Sequence, residues 1–304
     1  MKKFAIVTCV TPNWLAPAAV TLLSCAQHGA EEFTDLIIVS FDVSNEEADN
    51  LALFNKIHGT QIKLQKVKLA DLEGMGAGRL GVGSLLRLKL DTYMSKSYSR
   101  ILYLDSDVLA ESNCKELFEL DLNNKLFGAV ESIAMLPWIN KKSAAHLTAI
   151  GMAANTSYFN AGVIIFDWKK TFEDGLLSRS FKLLKQNPTL PFQDQDALNI
   201  SSAGNWQMLN HRWNVTKKTA DYLNLKIAFR HFNGSTKPWN TKLRFGFAKY
   251  YNFYLESLKD TAWSRFMVQQ KGSWSARELW RAVLRFSSFR RIQKLKQHIA
   301  KTTT

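Results

Sequence analysis

Between Phe4 and Leu104 the chain alternates short, uninterrupted apolar runs with segments of helical period, and this alternation constrains the fold more than any other feature. Phe4–Val10 reads as a strand and Pro17–Gln27 as a helix closed by Gly29. Leu36–Phe41 is the second strand. Ser44, with Glu47 three residues on, has the reciprocal capping pattern of a helix start, and Gly59 ends that helix. Ile62–Val67 is the third strand, Ser84–Met94 a further helix, and Ile101–Leu104 a fully buried strand. Strands with no polar alternation are covered on both faces, so helices flank a mainly parallel sheet joined by right-handed crossovers. The expected class is α/β, doubly wound. From Gly128 the pattern loosens, with Phe159–Phe166 and Leu225–Phe232 as further strands. Ligands of such sheets bind beyond the carboxyl ends of the strands.

The 304 residues, 46% hydrophobic and 22% charged, supply a large core and exclude a disordered, collagenous or disulfide-stapled chain. Cys9, Cys25 and Cys114 are scattered with no paired spacing, which points to a reducing compartment. No apolar run approaches the roughly 20 residues of a membrane-spanning helix. Met1-Lys2-Lys3 before an apolar stretch imitates a secretory leader. Thr11-Pro12-Asn13 breaks that stretch at once, and a buried first strand explains the same letters, so a cytoplasmic location is expected.

The formal net charge is +14, and much of it lies at the end of the chain. From Lys271 to Thr304 there are nine Lys or Arg against the single Glu278, together with Trp274, Trp280, Phe286 and Phe289. Helical spacing of the apolar residues beside a basic face is the pattern of an interfacial helix on anionic lipid. A C-terminal helix docked on the domain with a solvated basic surface produces the same letters. No nucleic-acid-binding module accompanies the charge, so nucleic acid is not an expected partner.

Gly76-Ala77-Gly78-Arg79-Leu80-Gly81 satisfies the G-x-G-x-x-G pattern but does not directly follow the first strand, where a dinucleotide-binding turn requires it. These glycines read instead as a loop able to close over a ligand.

The informative segment is Ile101-Leu102-Tyr103-Leu104-Asp105-Ser106-Asp107. A buried apolar strand ends in two carboxylates one residue apart, which is costly unless a positive partner meets them. Two such carboxylates can converge on one hard divalent cation, whose shell phosphate oxygens and water complete. Asp-x-Asp alone also fits a cap or a turn. Three more segments add chemistry: Phe159-Asn160-Ala161-Gly162-Val163, Gln193-Asp194-Gln195-Asp196 at a helix start, and Arg230-His231 leading to Gly234 and Lys237-Pro238-Trp239. Asp194 suits a helix cap or a pocket, His231 a metal ligand or a satisfied strand-end imidazole, and Lys237 a diphosphate or solvent.

In this order, these segments resemble glycosyltransferase family 8, the retaining nucleotide-sugar enzymes that include bacterial lipooligosaccharide galactosyltransferases and glycogenin. The resemblance runs from Phe4 to about Trp239 and takes in the Arg87-Leu88-Lys89-Leu90 helix. It implies a Rossmann-like nucleotide-binding half of the glycosyltransferase-A type. On this resemblance Asp105, Asp107 and His231 hold Mn2+, with Mg2+ as the alternative, against the donor diphosphate of a UDP-sugar. Gly234 and Lys237 contact the phosphates, and Ser106 lies between the acids on the donor side. Asn13 and Trp14 stand where the family has an Asn and a uracil-stacking Tyr, and Thr11 where near relatives place an Asp that reads uracil. Arg87 contacts the donor sugar or phosphate region, while Asn160, Asp194 and Gln195 surround the sugar. Near relatives carry a sugar-contacting Asp close to Glu131-Ser132.

The reading is a retaining hexosyltransferase that moves galactose or glucose from a UDP-sugar to a saccharide acceptor, lipid-linked in the lipopolysaccharide case. Retention proceeds through a covalent intermediate or by same-face attack, with Asp194 and Gln195 as the nearest candidates. Residues 1–260 form the catalytic domain and 261–304 a tail that attaches the protein peripherally to the inner face of the cytoplasmic membrane. The rival from another class is a catalytically inactive nucleotide-sugar-binding protein, against which an intact Asp194 argues.

Overall fold

A computed structural model describes residues 2–68, 82–136, 138–216, 226–234, 237–240, 248–267 and 297–298. The glycine-rich segment up to Gly81 and most of the basic tail, with the expected C-terminal amphipathic helices, lie outside the described residues.

Seven strands form the main sheet: Phe4–Val10 (β1), Thr34–Phe41 (β2), Lys63–Val67 (β3), Arg100–Leu104 (β4), Phe127–Glu131 (β6), Phe159–Asp167 (β7) and Trp206–Met208 (β8). Their order is β3-β2-β1-β4-β7-β6-β8. The first four are parallel, as the uninterrupted apolar runs require, whereas β7 runs antiparallel to both β4 and β6. Val108–Ala110 (β5), Val215–Thr216 (β9) and Phe229–His231 (β10) make a second, small sheet in the order β5-β10-β9.

Side chains along β1 and β4 alternate between two cores. Ile6, Val10, Leu102 and Leu104 face the helices Leu15–Gln27 and Asn45–His58, while Ala5, Val7, Ile101 and Tyr103 face the segment 85–90 and the helices Leu176–Gln186 and Asp194–Ser202. Both faces are thus closed, each buried Leu or Ile contributing about 1.5–3 kcal/mol. Ser44 caps its helix as its spacing implies: its hydroxyl accepts from Glu47 N at 3.1 Å, and Glu47 returns to Ser44 N.

Two expectations need adjustment and one open choice is decided. Residues 84–94 are not one helix, because a tight turn over Leu86–Lys89 separates Val82–Leu85 from Leu90–Tyr93 and carries Arg87 into the interior. Among the described residues, the strand expected over Leu225–Phe232 covers only Phe229–His231, the part that pairs with β5. Of the two readings left open for Asp194, the cap position falls to Gln193, at φ 44°, and Asp194 lies inside, 1% exposed.

Candidate active site

The site forms where β4 stops. Asp105 N donates to Gly162 O of β7 at 2.9 Å, so Asp105 is held by the neighbouring strand just as the sheet opens. Two residues on, β5 pairs with β10 so that Val108 lies opposite His231. Phe232 N donates to Asp107 O at 2.9 Å, fixing the register that brings the imidazole to the acids. His231 Nε2 lies 3.3 Å from Asp107 Oδ1 and 3.7 Å from Asp105 Oδ2. One donor atom from each of Asp105, Asp107 and His231 falls within 4.8 Å of the others, the compactness that a single divalent cation requires.

Donor chemistry and packing both fit such an ion. His231 is 3% exposed and its Nδ1 lies 2.9 Å from Asn214 Oδ1, leaving Nε2 toward the carboxylates. Gly162 makes the space: a Cβ there would lie 2.2 Å from His231 Cε1 and 2.9 Å from Asp105 Oδ2. Gly162→Ala is therefore expected to displace two ligands and lower Mn2+ affinity by at least about 10-fold, read by titration against free Mn2+. Wild-type affinity in that variant would show that the three side chains do not share an ion. Lys237 Nζ pairs with Asp107 Oδ2 and donates to Phe232 O at 2.9 Å. Burial alone would raise the Asp107 carboxyl, but His231 and Lys237 outweigh it and hold this group well below the usual carboxylate range.

Arg87 ties the acid pair to the helix at Asp194. Its Nη2 is 3.0 Å from Asp105 Oδ1, its Nε 2.7 Å from Asp194 Oδ2, and its Nη1 donates to Ala161 O at 2.6 Å. The guanidinium carbon lies 4.5 Å from the Tyr103 ring centroid, and the Tyr103 hydroxyl donates to Asp105 Oδ1 at 2.9 Å. Burial works against the Arg87 charge, yet Asp105 and Asp194 more than offset it and keep the cation. Asp194 is pushed up to about 6 by burial, which the Arg87 charge only partly counters and the Asp105 charge reinforces.

Asn160 and Gln195 meet behind this cluster. Gln195 Oε1 accepts from Asn160 Nδ2 at 3.2 Å and from Ala161 N at 3.1 Å, so both of its lone pairs are engaged. Asn160 Oδ1 likewise accepts from Asn214 Nδ2 at 2.7 Å and Gly162 N at 3.1 Å.

Direct contacts thus connect Arg87, Asp105, Asp107, Asp194, His231 and Lys237, and Asn214 joins the pair Asn160 and Gln195 to them through His231. The remaining positions are arranged around them. The Ser106 carbonyl accepts from Thr21 Oγ1 at 2.9 Å, and Gly234 is exposed at φ 92°. Thr11 packs against Gly83, where a Cβ would lie 2.9 Å from Thr11 N. Trp14, 39% exposed, meets Trp239 edge-on at 5.6 Å, which links the first strand's end to the Lys237-Pro238-Trp239 segment. Asn13 lines a cavity of about 290 Å3 with Glu46, Trp263 and Phe266. Glu131, at the end of β6, meets His298 Nε2 at 2.7 Å, and Ser132 N donates to Tyr158 O at 2.8 Å. Sequence reasoning missed Asn214, a buried amide between Trp213 and Val215, and that setting in apolar sequence was its only signal.

An open α/β sheet with an acidic strand end and a histidine returned by a second sheet defines a glycosyltransferase-A fold. The galactosyltransferase LgtC, solved in complex with donor and acceptor sugar analogs, has this fold: TM-score 0.74 at 22% identity, over 87% of this chain and 100% of that one. The family model "Glycosyl transferase family 8" matches residues 5–242. The chain belongs to glycosyl transferase family 8, and glycosyl transfer is its class of reaction. It is similar to the lipopolysaccharide 1,3-galactosyltransferase of Salmonella typhimurium, 22% identical over 275 residues, 86% of this chain and 80% of that protein. It is also similar to a lipopolysaccharide 1,2-glucosyltransferase of Escherichia coli, 26% identical over 263 residues, 81% of this chain and 76% of that one. A Haemophilus influenzae protein is 29% identical over 172 residues, which span 54% of this chain and 50% of that relative's length.

Proposed function

We propose that the protein transfers galactose or glucose from a UDP-sugar, with retention of configuration, to a saccharide acceptor of the cell surface such as lipopolysaccharide. The observation that carries this reading is the convergence of Asp105, Asp107 and His231, within 4.8 Å, beside Lys237. The names of the Salmonella and Escherichia coli relatives support the sugar and acceptor classes.

Asp105, Asp107 and His231 would hold Mn2+, or Mg2+ in its place, and the ion when bound supplies Lewis-acid neutralisation of the leaving diphosphate. Lys237, already seated on Asp107, places a second positive charge on the same side, and Gly234 leaves backbone open to phosphate oxygens. Asp194 provides a buried negative charge for a sugar carbon that gains positive character as the bond to phosphate breaks. Arg87 fixes that carboxylate relative to Asp105, so sugar and diphosphate ends are registered by one side chain. The side-chain oxygens of Asn160 and Gln195 are spent on each other's surroundings and act by positioning Asp194's neighbours. Incubation with UDP-galactose or UDP-glucose and a lipopolysaccharide-derived saccharide, followed by NMR of the product anomer, tests the proposal. The donor's configuration is expected, and an inverted product would overturn retention.

The basic aromatic tail supports a peripheral position on the inner face of the cytoplasmic membrane, with the lipid-linked acceptor in the same plane. Ala262–Phe266, at its start, packs on the domain through Trp263 against Phe54 at 5.7 Å. Among the described residues no helix is long and apolar enough to cross a membrane. Truncation before Lys271 is expected to release the protein from phosphatidylglycerol vesicles, while raised salt weakens binding of the full chain. Undiminished vesicle binding after truncation would contradict the attachment.

A further inference from the structure

His231 stands at one end of a run of buried and half-buried polar side chains that continues past the site. Asn214 Oδ1 is 2.9 Å from His231 Nδ1, and Asn214 Nδ2 is 2.7 Å from Asn160 Oδ1. Asn160 Nδ2 lies 3.2 Å from Gln195 Oε1, and Gln195 Nε2 lies 3.1 Å from the Tyr158 hydroxyl. The run reaches Asp196, whose Oδ1 accepts from that hydroxyl at 2.5 Å and also meets His146 Nε2 at 2.9 Å. Asp196 is 0% exposed, and burial, reinforced by the Asp196 charge, keeps the Tyr158 phenol protonated.

The direction of each bond is forced by two backbone groups. A backbone N–H can only donate. Gly162 N meets Asn160 Oδ1 at 3.1 Å and Ala161 N meets Gln195 Oε1 at 3.1 Å, so both of those side-chain atoms are carbonyl oxygens. The Asn214 atom facing Asn160 Oδ1 must then be its amide nitrogen, which turns the Asn214 oxygen toward His231. That oxygen can only accept, so His231 Nδ1 carries the proton. The lone pair of the neutral imidazole falls on Nε2, the atom facing Asp107 and Asp105.

We infer that Asn214 is a positioning residue that transmits the polarity of the Ala161 and Gly162 amides to His231, holding the imidazole as the Nδ1–H tautomer with Nε2 open to a cation. This deepens the proposed function and rests on its reading of Asp105, Asp107 and His231 as cation ligands. The same amide joins the cation side to Asn160 and Gln195, so a change at Asn214 is felt on both sides of the site. A polar run with every member satisfied is stiff, and breaking it midway leaves unpaired groups on both flanks.

The test uses the full chain and Mn2+ alone, without donor. Long-range proton–nitrogen NMR of the ion-free protein, above the pH at which imidazole is protonated, is expected to show His231 as Nδ1–H, with His231→Gln supplying the assignment. Asn214→Leu is expected to lower Mn2+ affinity about 10–100-fold. Asn214→Asp keeps an acceptor for Nδ1–H and is expected to recover most of that affinity, yet to raise donor KM because it no longer donates to Asn160. An Nε2–H tautomer in the wild type overturns the inference. So does unchanged Mn2+ affinity in Asn214→Leu when His231→Gln has lost it. Unchanged affinity in His231→Gln would instead remove the cation reading itself. Should Asn214→Leu fail to fold, the wild-type tautomer and Asn214→Asp decide.

Discussion

Asp107→Asn is expected to abolish Mn2+-dependent binding of UDP and to lower kcat/KM by about 1,000-fold or more, roughly 4 kcal/mol of transition-state stabilisation. The substitution preserves shape and removes one charge from a site where that charge is committed. Asp107 is 8% exposed, lies 3.3 Å from His231 Nε2 and is paired with Lys237. An amide there cannot neutralise a divalent ion, and its NH2 group presents a donor where a ligand oxygen is needed. Lys237 also loses its carboxylate partner, so the charge proposed for the diphosphate is less well placed. Calorimetry of UDP with Mn2+ and with chelator reads the effect directly. Equal UDP affinity in variant and wild type, both dependent on Mn2+, would remove Asp107 from the cation site.

Arg87→Lys is expected to cost about 3–5 kcal/mol of stability and most of the activity, although it keeps the charge. Arg87 uses Nε, Nη1 and Nη2 on three different groups, Asp194, Ala161 O and Asp105, and lays its plane over Tyr103. A single ammonium cannot reach all three, so Asp194 becomes a buried carboxylate without its partner. Adding Asp194→Asn should restore part of the melting temperature without restoring activity, and a simple sum of the two single effects would show that the residues do not act as a pair. Asp194 also sets a pH dependence. Its folded value, pushed up to about 6, lies above the ordinary carboxylate value. The stability it contributes is therefore fully present below that ordinary value and lost as pH rises through about 6. On the proposed role of Asp194 as a negative charge beside the sugar carbon, activity runs the opposite way: kcat/KM is expected to fall below about pH 6. A flat profile from pH 5 to pH 8, pH values chosen to bracket that point, would show that Asp194 ionisation plays no part.

The parallel half of the fold was legible because β1, β2 and β4 are buried on both faces and carry no polar alternation to obscure them. The acid pair stood out at the end of such a strand, but Asp-x-Asp alone also fits a cap or a turn, and only the further segments around Asn160, Asp194 and His231 gave it a chemical reading. What escaped depends on contacts distant in sequence. β7 enters antiparallel between β4 and β6, an arrangement dictated by pairing with Leu104 and Phe127 rather than by its own residues. Asn214 is 17 residues from His231 and 54 from Asn160, so nothing local distinguishes it from any buried amide. The sequence motif of Asp194 suggested a helix start, and correctly so. It could not show that the carboxylate turns inward to Arg87 rather than back to its own backbone, because that choice is made by a charge 107 positions earlier.

The most direct measurement is UDP release from a panel of UDP-sugars by the full chain, with Mn2+ and with chelator, first without acceptor and then with simple glycosides. Release confined to UDP-galactose or UDP-glucose, lost on chelation and lost in Asp107→Asn, is the predicted result. Failure to release UDP from any sugar under these conditions and with a lipopolysaccharide-derived saccharide as acceptor, in a protein that still binds UDP, would contradict hexosyl transfer and leave a nucleotide-sugar-binding protein.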